Sequence, residues 1–159
     1  MKKLLIFLLV AMLALTGCSK DSSTGGSNDG EITIGYAINN MNDTFQTYIV
    51  DAAKAKAEEY GYKIEIQDSQ EDVVRQQDQV KAMIDKGVDA LIVVPVDTSA
   101  MEPITNAALE AGIPLVYVNR NPFGDGEVPD GVYYVGSQEI IAGQLQAEYL
   151  VELMGEEGG

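Results

Sequence analysis

Asp85-Lys86-Gly87-Val88-Asp89-Ala90-Leu91-Ile92-Val93-Val94-Pro95-Val96-Asp97-Thr98 is the run whose reading decides the fold. Asp85 and Lys86 close a helical pattern that begins at Asp72, and Gly87 follows as a residue free to take the left-handed conformation of a helix cap. Ala90 to Val94 is apolar without alternation, as in a strand buried on both faces. Pro95 to Thr98 is a polar turn leading into the next helical pattern, which runs from about Ser99 to Ala111 and stops at Gly112. One strand–helix unit is therefore complete between Ala90 and Gly112.

The same unit recurs on both sides. Upstream, Ile32 to Ile38 reads as a strand. Phe45, Tyr48, Ile49 and Ala52 then recur at helical spacing up to Tyr60-Gly61, and Tyr62 to Ile66 is a second strand. Downstream, Pro114 to Val118 and Val132 to Val135 read as strands, and Gln138 to about Met154 as a helix. Gly61, Gly87 and Gly112 fall one βα unit apart. Ser69-x-x-Asp72 and Ser99-x-x-Glu102 have the spacing of helix starts. Strands alternating with helices predict an α/β domain, a doubly wound parallel sheet with Ala90–Val94 at its centre.

The chain has 159 residues, 46% of them apolar and 22% charged, as an ordinary globular chain does. It has no His, no Trp and one Cys. That removes histidine acid–base catalysis, His metal sites, Cys zinc sites and an internal disulfide framework. Ten basic against 25 acidic residues give a net charge of −15. A nucleic-acid partner, or adsorption to an anionic membrane through charge, is disfavoured by that sign.

The first residues read as a leader. Lys2 and Lys3 precede the apolar run Leu4 to Leu15, which is short for a membrane span but fits the apolar part of a signal peptide. Leu15-Thr16-Gly17-Cys18 resembles a bacterial lipobox, which implies cleavage before Cys18 and lipidation of its sulfur. The alternative is a chance Cys beside an ordinary signal, or a small buried thiol. Cleavage would remove Lys2 and Lys3 and leave 8 basic against 25 acidic residues, a net −17. Ser19 to Gly30 contains no apolar residue and reads as a flexible tether. The expected organisation is thus a signal peptide over 1–17, a tether over 18–30 and a folded part from Glu31.

In a doubly wound sheet, ligands bind beyond the carboxyl ends of the strands, where the strand order reverses. The loops expected there are Asn39 to Phe45, Asp68-Ser69-Gln70, Pro95 to Thr98, Asn119 to Pro122 and Gly136-Ser137-Gln138. They are dense in Asn, Asp, Gln and Arg, whose planar groups suit a neutral, polyhydroxylated ligand. Phe45 offers a face for ring C–H groups. Each residue also has a local reading. Asp43 and Thr44 could cap a helix, Phe45 could be core, Asp97 could start a turn, and Asn119 and Asn121 sit before a proline turn. Neither G-x-G-x-x-G nor a P-loop follows any strand, and no G-x-S-x-G elbow exists. Asp125 to Asp130 lacks the alternating ligand pattern of a calcium loop. No cofactor, no metal and no enzymatic activity are expected; a flavodoxin-like enzyme would need acid–base chemistry from Asp43, Asp68 or Asp97 alone.

Asp68-Ser69-Gln70, Asp85 to Val93 and Ala111-Gly112-Ile113-Pro114-Leu115-Val116 resemble the amino-terminal lobe of type I periplasmic binding proteins of ABC importers, the galactose/glucose and ribose binders in particular. Asn42-Asp43-Thr44-Phe45 is similar to the first ligand loop of that family, and Tyr133-Tyr134-Val135-Gly136-Ser137 to the strand leading into its second lobe. The resemblance implies a monosaccharide ligand, an ABC transporter permease as partner, and membrane attachment through lipid only. It implies ligand contacts from Asp43 and Phe45 of the first loop, from Asn119 and Arg120 after the fourth strand, and from Asn39. Asn119 is similar to the galactose/glucose pattern and Arg120 to the ribose pattern. It also implies a lobe over 31–137, with 138–159 as the start of a truncated second lobe. A sugar-sensing module for a chemoreceptor or histidine kinase, or a non-functional fragment, are the other expectations.

Overall fold

The computed structural model describes residues 30–155. The expected leader over 1–17, Cys18 and nearly all of the tether lie outside the described residues. Five strands form one parallel sheet: β1 Thr33–Ile38, β2 Lys63–Asp68, β3 Ala90–Val93, β4 Leu115–Val118 and β5 Val132–Val135. The helices between and after them are α1 Thr44–Tyr60, α2 Val73–Lys86, α3 Glu102–Ala111 and α4 Glu139–Met154. The strand order is β2-β1-β3-β4-β5. β3 is central, as its unbroken apolar run required. The chain leaves β1 for β2 on one side and returns to β3 on the other, so the order reverses between β1 and β3.

The two faces of β1 show how sequence sets the layers. Gly35 and Ala37 are small and face one side, while Tyr36 and Ile38 face the other. On the first side, Val80 and Met83 of α2 and Ile104 and Ala108 of α3 pack on Leu91, Val93, Leu115 and Tyr117. A Cβ on Gly35 would stand 2.8 Å from Met83 Sδ and 3.1 Å from Leu91 Cδ2, so the absent side chain is what lets α2 come close. On the other side, Val50 of α1 joins Tyr36, Ile38 and Val94, with Ala53 packed against them. Burial pushes the Tyr36 hydroxyl up to about 12, and that of Tyr117 likewise, so both are neutral at ordinary pH.

Gly61, Gly87 and Gly112 close α1, α2 and α3 with φ of 68°, 82° and 68°, the left-handed caps that their positions implied. The expected helix starts are corrected. Asp72, not Ser69, caps α2 by accepting from the Arg75 N–H; the buried Ser69 hydroxyl donates instead to Gln79 Oε1. Asp97 caps a short 3-10 turn over Thr98–Ala100, and α3 begins only at Glu102, where Pro103 needs no N–H partner. The apolar stripe of α1 is corrected too. Phe45, Tyr48 and Ala52 lie outside, and the buried residues are Gln46, Val50 and Ala57. Small Ala53 and Ala57 let the helix lie close to the sheet, and the aromatic side chains cannot fit under it.

Gln76 is the polar residue with the largest structural role. It is fully buried in α2, and its amide spans the end of β3. Nε2 donates to the Val94 carbonyl at 2.9 Å and Oε1 accepts from the Val96 N–H at 3.0 Å. Gln76→Ala would leave both backbone groups without partners, a cost of about 2 kcal/mol. Urea unfolding should show that loss as a lower midpoint with an unchanged slope; an unchanged midpoint would show that water replaces the amide freely.

α4 packs on neither face. Every described side chain from Ile140 to Met154 is exposed, Ile140 by 77%, and Gln138 makes no capping bond through its side chain. A helix without tertiary burial has little to offset its ordering entropy. Amides of Leu145 to Met154 should therefore exchange hydrogen at least about 100-fold faster than those of Leu91 to Val93, which open only with the core. Equal protection would mean that the helix is packed against something.

Candidate functional site

Parallel pairing places the carboxyl ends of all five strands at one end of the sheet, and the polar loops gather there. The site is built outward from the end of β3. Gln76 holds Val94 and Val96 from below, and Arg120 holds the same turn from β4: its Nη1 donates to the Pro95 carbonyl at 3.0 Å and the Val96 carbonyl at 2.9 Å. Within the described residues Nε and Nη2 take no protein acceptor, so one edge of the guanidinium remains for a ligand. Arg120 is the only Lys or Arg after Lys86 in this acidic chain.

Asn119 gives Arg120 its direction. The Arg120 N–H donates to the Val118 carbonyl at 2.8 Å, closing a three-residue turn around Asn119, whose φ is 68°. Such a conformation costs an Asn residue about 1 kcal/mol and concentrates at functional positions. The Asn119 N–H donates to Val135 and its carbonyl accepts from the Tyr134 hydroxyl. Asn119 and Arg120 line a cleft of about 900 Å³ together with Thr98, Tyr134, Ser137 and Gln138.

The other expected contacts lie at the ends of β1 and α1 and do not line that cleft. Asp43 is exposed; one carboxylate oxygen accepts from the Phe45 N–H at 2.8 Å, so it caps α1. The second oxygen stays open to the rim. Phe45 is 57% exposed, so its ring is not core. Asn39 is 1% exposed; Nδ2 donates to Glu71 Oε1 at 2.9 Å and Oδ1 has no partner. Asp97 and Asn121 follow their local readings. Asp97 accepts from the hydroxyl and N–H of Ser99, which hold its carboxyl below the usual range. The Asn121 side chain bonds Phe123 and Gly124 across its turn.

Two contributors escaped the reading of the sequence. Gln76 sits in the stripe Val73, Gln76, Val80, Met83, and a lone amide at a core position was the available signal. Tyr134 reads as an ordinary strand residue, and nothing local marks it.

A doubly wound lobe with a polar rim at its switch point defines a class of ligand-binding folds, and comparison with known proteins narrows it. Residues 34–159 match the periplasmic binding protein domain, and residues 1–19 match the prokaryotic membrane lipoprotein lipid attachment site. The chain belongs to the periplasmic binding protein domain family. It is 35% identical over 159 residues to a candidate rhizopine-binding protein of Rhizobium meliloti, covering 99% of this chain and 48% of that one. It is 30% identical over 161 residues to the ribose import binding protein of Bacillus subtilis, covering 97% and 51%. Among solved structures, an ABC transporter solute binding protein of Bacillus halodurans with bound myo-inositol matches with a TM-score of 0.70 and 37% identity, over 80% of this chain and 43% of that one. The chain thus spans about half the length of the curated relatives it matches, and its described part is a single lobe. The attachment site makes it an extracytoplasmic, membrane-anchored protein; among the described residues no helix is long and apolar enough to cross a membrane.

Proposed function

We propose that this chain is the amino-terminal ligand-binding lobe of a lipid-anchored solute-binding protein that serves an ABC importer. The lobe comprises residues 31–137, and residues 138–159 begin a second lobe. Cys18 carries the lipid, and residues 19–30 tether the lobe above the membrane. The ligand is a neutral polyhydroxylated ring, a monosaccharide of the ribose or galactose/glucose type or a cyclitol such as the myo-inositol held by the Bacillus halodurans relative. Binding is non-covalent, without an enzymatic step, and the loaded protein delivers its ligand to the permease.

The observation that carries this reading is the Arg120 guanidinium, braced by one nitrogen on the Pro95 and Val96 carbonyls with its other edge open beside Asn119. Ring hydroxyls donate to and accept from such a rim. Asp43 accepts, Arg120 donates, and the Phe45 ring offers a flat apolar face.

Thermal unfolding in the presence of D-ribose, D-galactose, myo-inositol and ribose 5-phosphate tests the ligand class. A ligand at tenfold its dissociation constant adds roughly 1.4 kcal/mol to stability. At least one neutral compound should raise the midpoint by a few degrees at tens of millimolar, a range set by a rim that covers one side of the ring. The acidic chain should exclude the phosphate ester. A rise with ribose 5-phosphate alone would refute the neutral-ligand reading.

A further inference from the structure

Gln70 and Glu71 are consecutive non-glycine residues with φ of 53° and 58°. The Asp72 N–H donates to the Ser69 carbonyl at 3.0 Å, so they form the centre of a two-residue turn with both φ values positive. Asn, Asp and Gly suit that turn; Gln and Glu do not. Each residue costs about 1 kcal/mol there, and such strain persists only where surrounding contacts hold it.

The contacts are specific. The Glu71 N–H donates to the Asn39 carbonyl at 2.8 Å while the Glu71 carboxylate accepts from Asn39 Nδ2 at 2.9 Å. The pair is reciprocal and joins the loop after β2 to the loop after β1. Beside it, Asp68 Oδ1 accepts from the N–H groups of Met41 and Gln70, at 3.3 and 3.0 Å. Arg75 Nη1 donates to Gln70 Oε1 at 2.6 Å and steadies the turn from α2. The carboxylate can only accept, so it fixes which end of the Asn39 amide faces it and leaves Oδ1 as a buried acceptor.

We propose that Glu71 is a positioning residue for the ligand rim. Through Asn39 it holds the segment Asn39–Asp43 at the switch point between β1 and β3, and with it the entry to α1 that carries Asp43 and Phe45. The effect on ligand binding rests on the sugar-binding reading above; the effect on the segment does not. The strained turn sets where its carboxylate stands, against the Asn39 amide.

Glu71→Gly removes the carboxylate half of the clamp, keeping only the N–H bond to the Asn39 carbonyl, and relieves the strain at position 71, whereas Glu71→Gln keeps an acceptor oxygen in place. The full chain, labelled with ¹⁵N, would be compared in three forms by thermal unfolding, amide exchange and titration with D-ribose and myo-inositol. Glu71→Gly relieves strain but leaves the buried Asn39 amide without its acceptor, so its midpoint should stay within a few degrees of the parent. Its Met41 and Asn42 amides should exchange at least tenfold faster while Leu91 is unchanged, and the better probe should bind at least fivefold more weakly. Glu71→Gln should behave as the parent. Unchanged exchange at Met41 and Asn42 in Glu71→Gly would overturn the proposal, and so would equal probe affinity in a parent that binds. A parent that binds neither probe would count against the sugar-binding reading, and the exchange rates would then decide the clamp alone.

Discussion

Cys18→Ser is expected to abolish lipid attachment, and with it the lipid-dependent hold of the protein on the membrane. A diacylglyceryl thioether needs the sulfur of Cys18 at the end of Leu15-Thr16-Gly17-Cys18, and serine offers no thiol for it. Each buried methylene contributes about 0.8 kcal/mol, and two acyl chains anchor stably where one holds only reversibly. Among the described residues nothing replaces that anchor. The chain's net charge is −15, and among the described residues no helix can span a bilayer. In a bacterial host, metabolic labelling with palmitate should be lost in the variant and retained in the parent. Labelling that survives the substitution would place the lipid elsewhere and remove Cys18 from the account.

Arg120→Ala is expected to abolish measurable ligand binding. The guanidinium is braced by two carbonyls, so its free edge meets the ligand with little further ordering. Truncating one partner of a buried, charged hydrogen bond costs about 2–5 kcal/mol, a loss of about thirtyfold or more. A rim that covers one side of its ligand binds weakly to begin with, and such a loss takes it out of reach of titration. Asn119 and the backbone remain in the variant, so the fold persists. Arg120→Lys separates charge from geometry: the ammonium keeps the charge but cannot brace two carbonyls and present a planar edge as well. Ligand affinity unchanged in Arg120→Ala would remove this residue from the site.

The legible part of the fold was the part governed by continuous burial and by backbone geometry. Ala90–Val94 could only be central because no face of it is polar, and Gly61, Gly87 and Gly112 could take left-handed caps at no steric cost. Helix faces were less legible. In α1 the larger apolar residues suggested the wrong stripe, because closeness to the sheet selects small Ala53 and Ala57 and leaves Phe45 and Tyr48 outside. Ser69 and Ser99 had the spacing of caps, yet Asp72 and Asp97 accept the N–H bonds, since a carboxylate at the turn is the stronger acceptor.

At the candidate site, the residue types and their loops were legible, because a parallel sheet brings strand ends together. What each side chain does was not. The positive φ of Asn119, the brace from Arg120 to Pro95 and Val96, and the Asn39–Glu71 pair are long-range or conformational facts that spacing along the chain does not encode. Gln76 shows the same limit: its amide reads as a flaw in an apolar stripe until the broken backbone after β3 is seen above it.

A neutral polyhydroxylated ligand is expected to bind on the rim around Arg120. The most direct measurement is a ¹H–¹⁵N NMR titration of the lobe with D-ribose and with myo-inositol, following each amide. Saturable shifts are expected at Asn42–Phe45, Val96–Thr98, Asn119–Asn121 and Ser137–Gln138, with little change at Gly61, Gly87 and Gly112 at the opposite end of the sheet. Shifts centred at that opposite end, or none with any neutral sugar or cyclitol, would contradict binding on this rim.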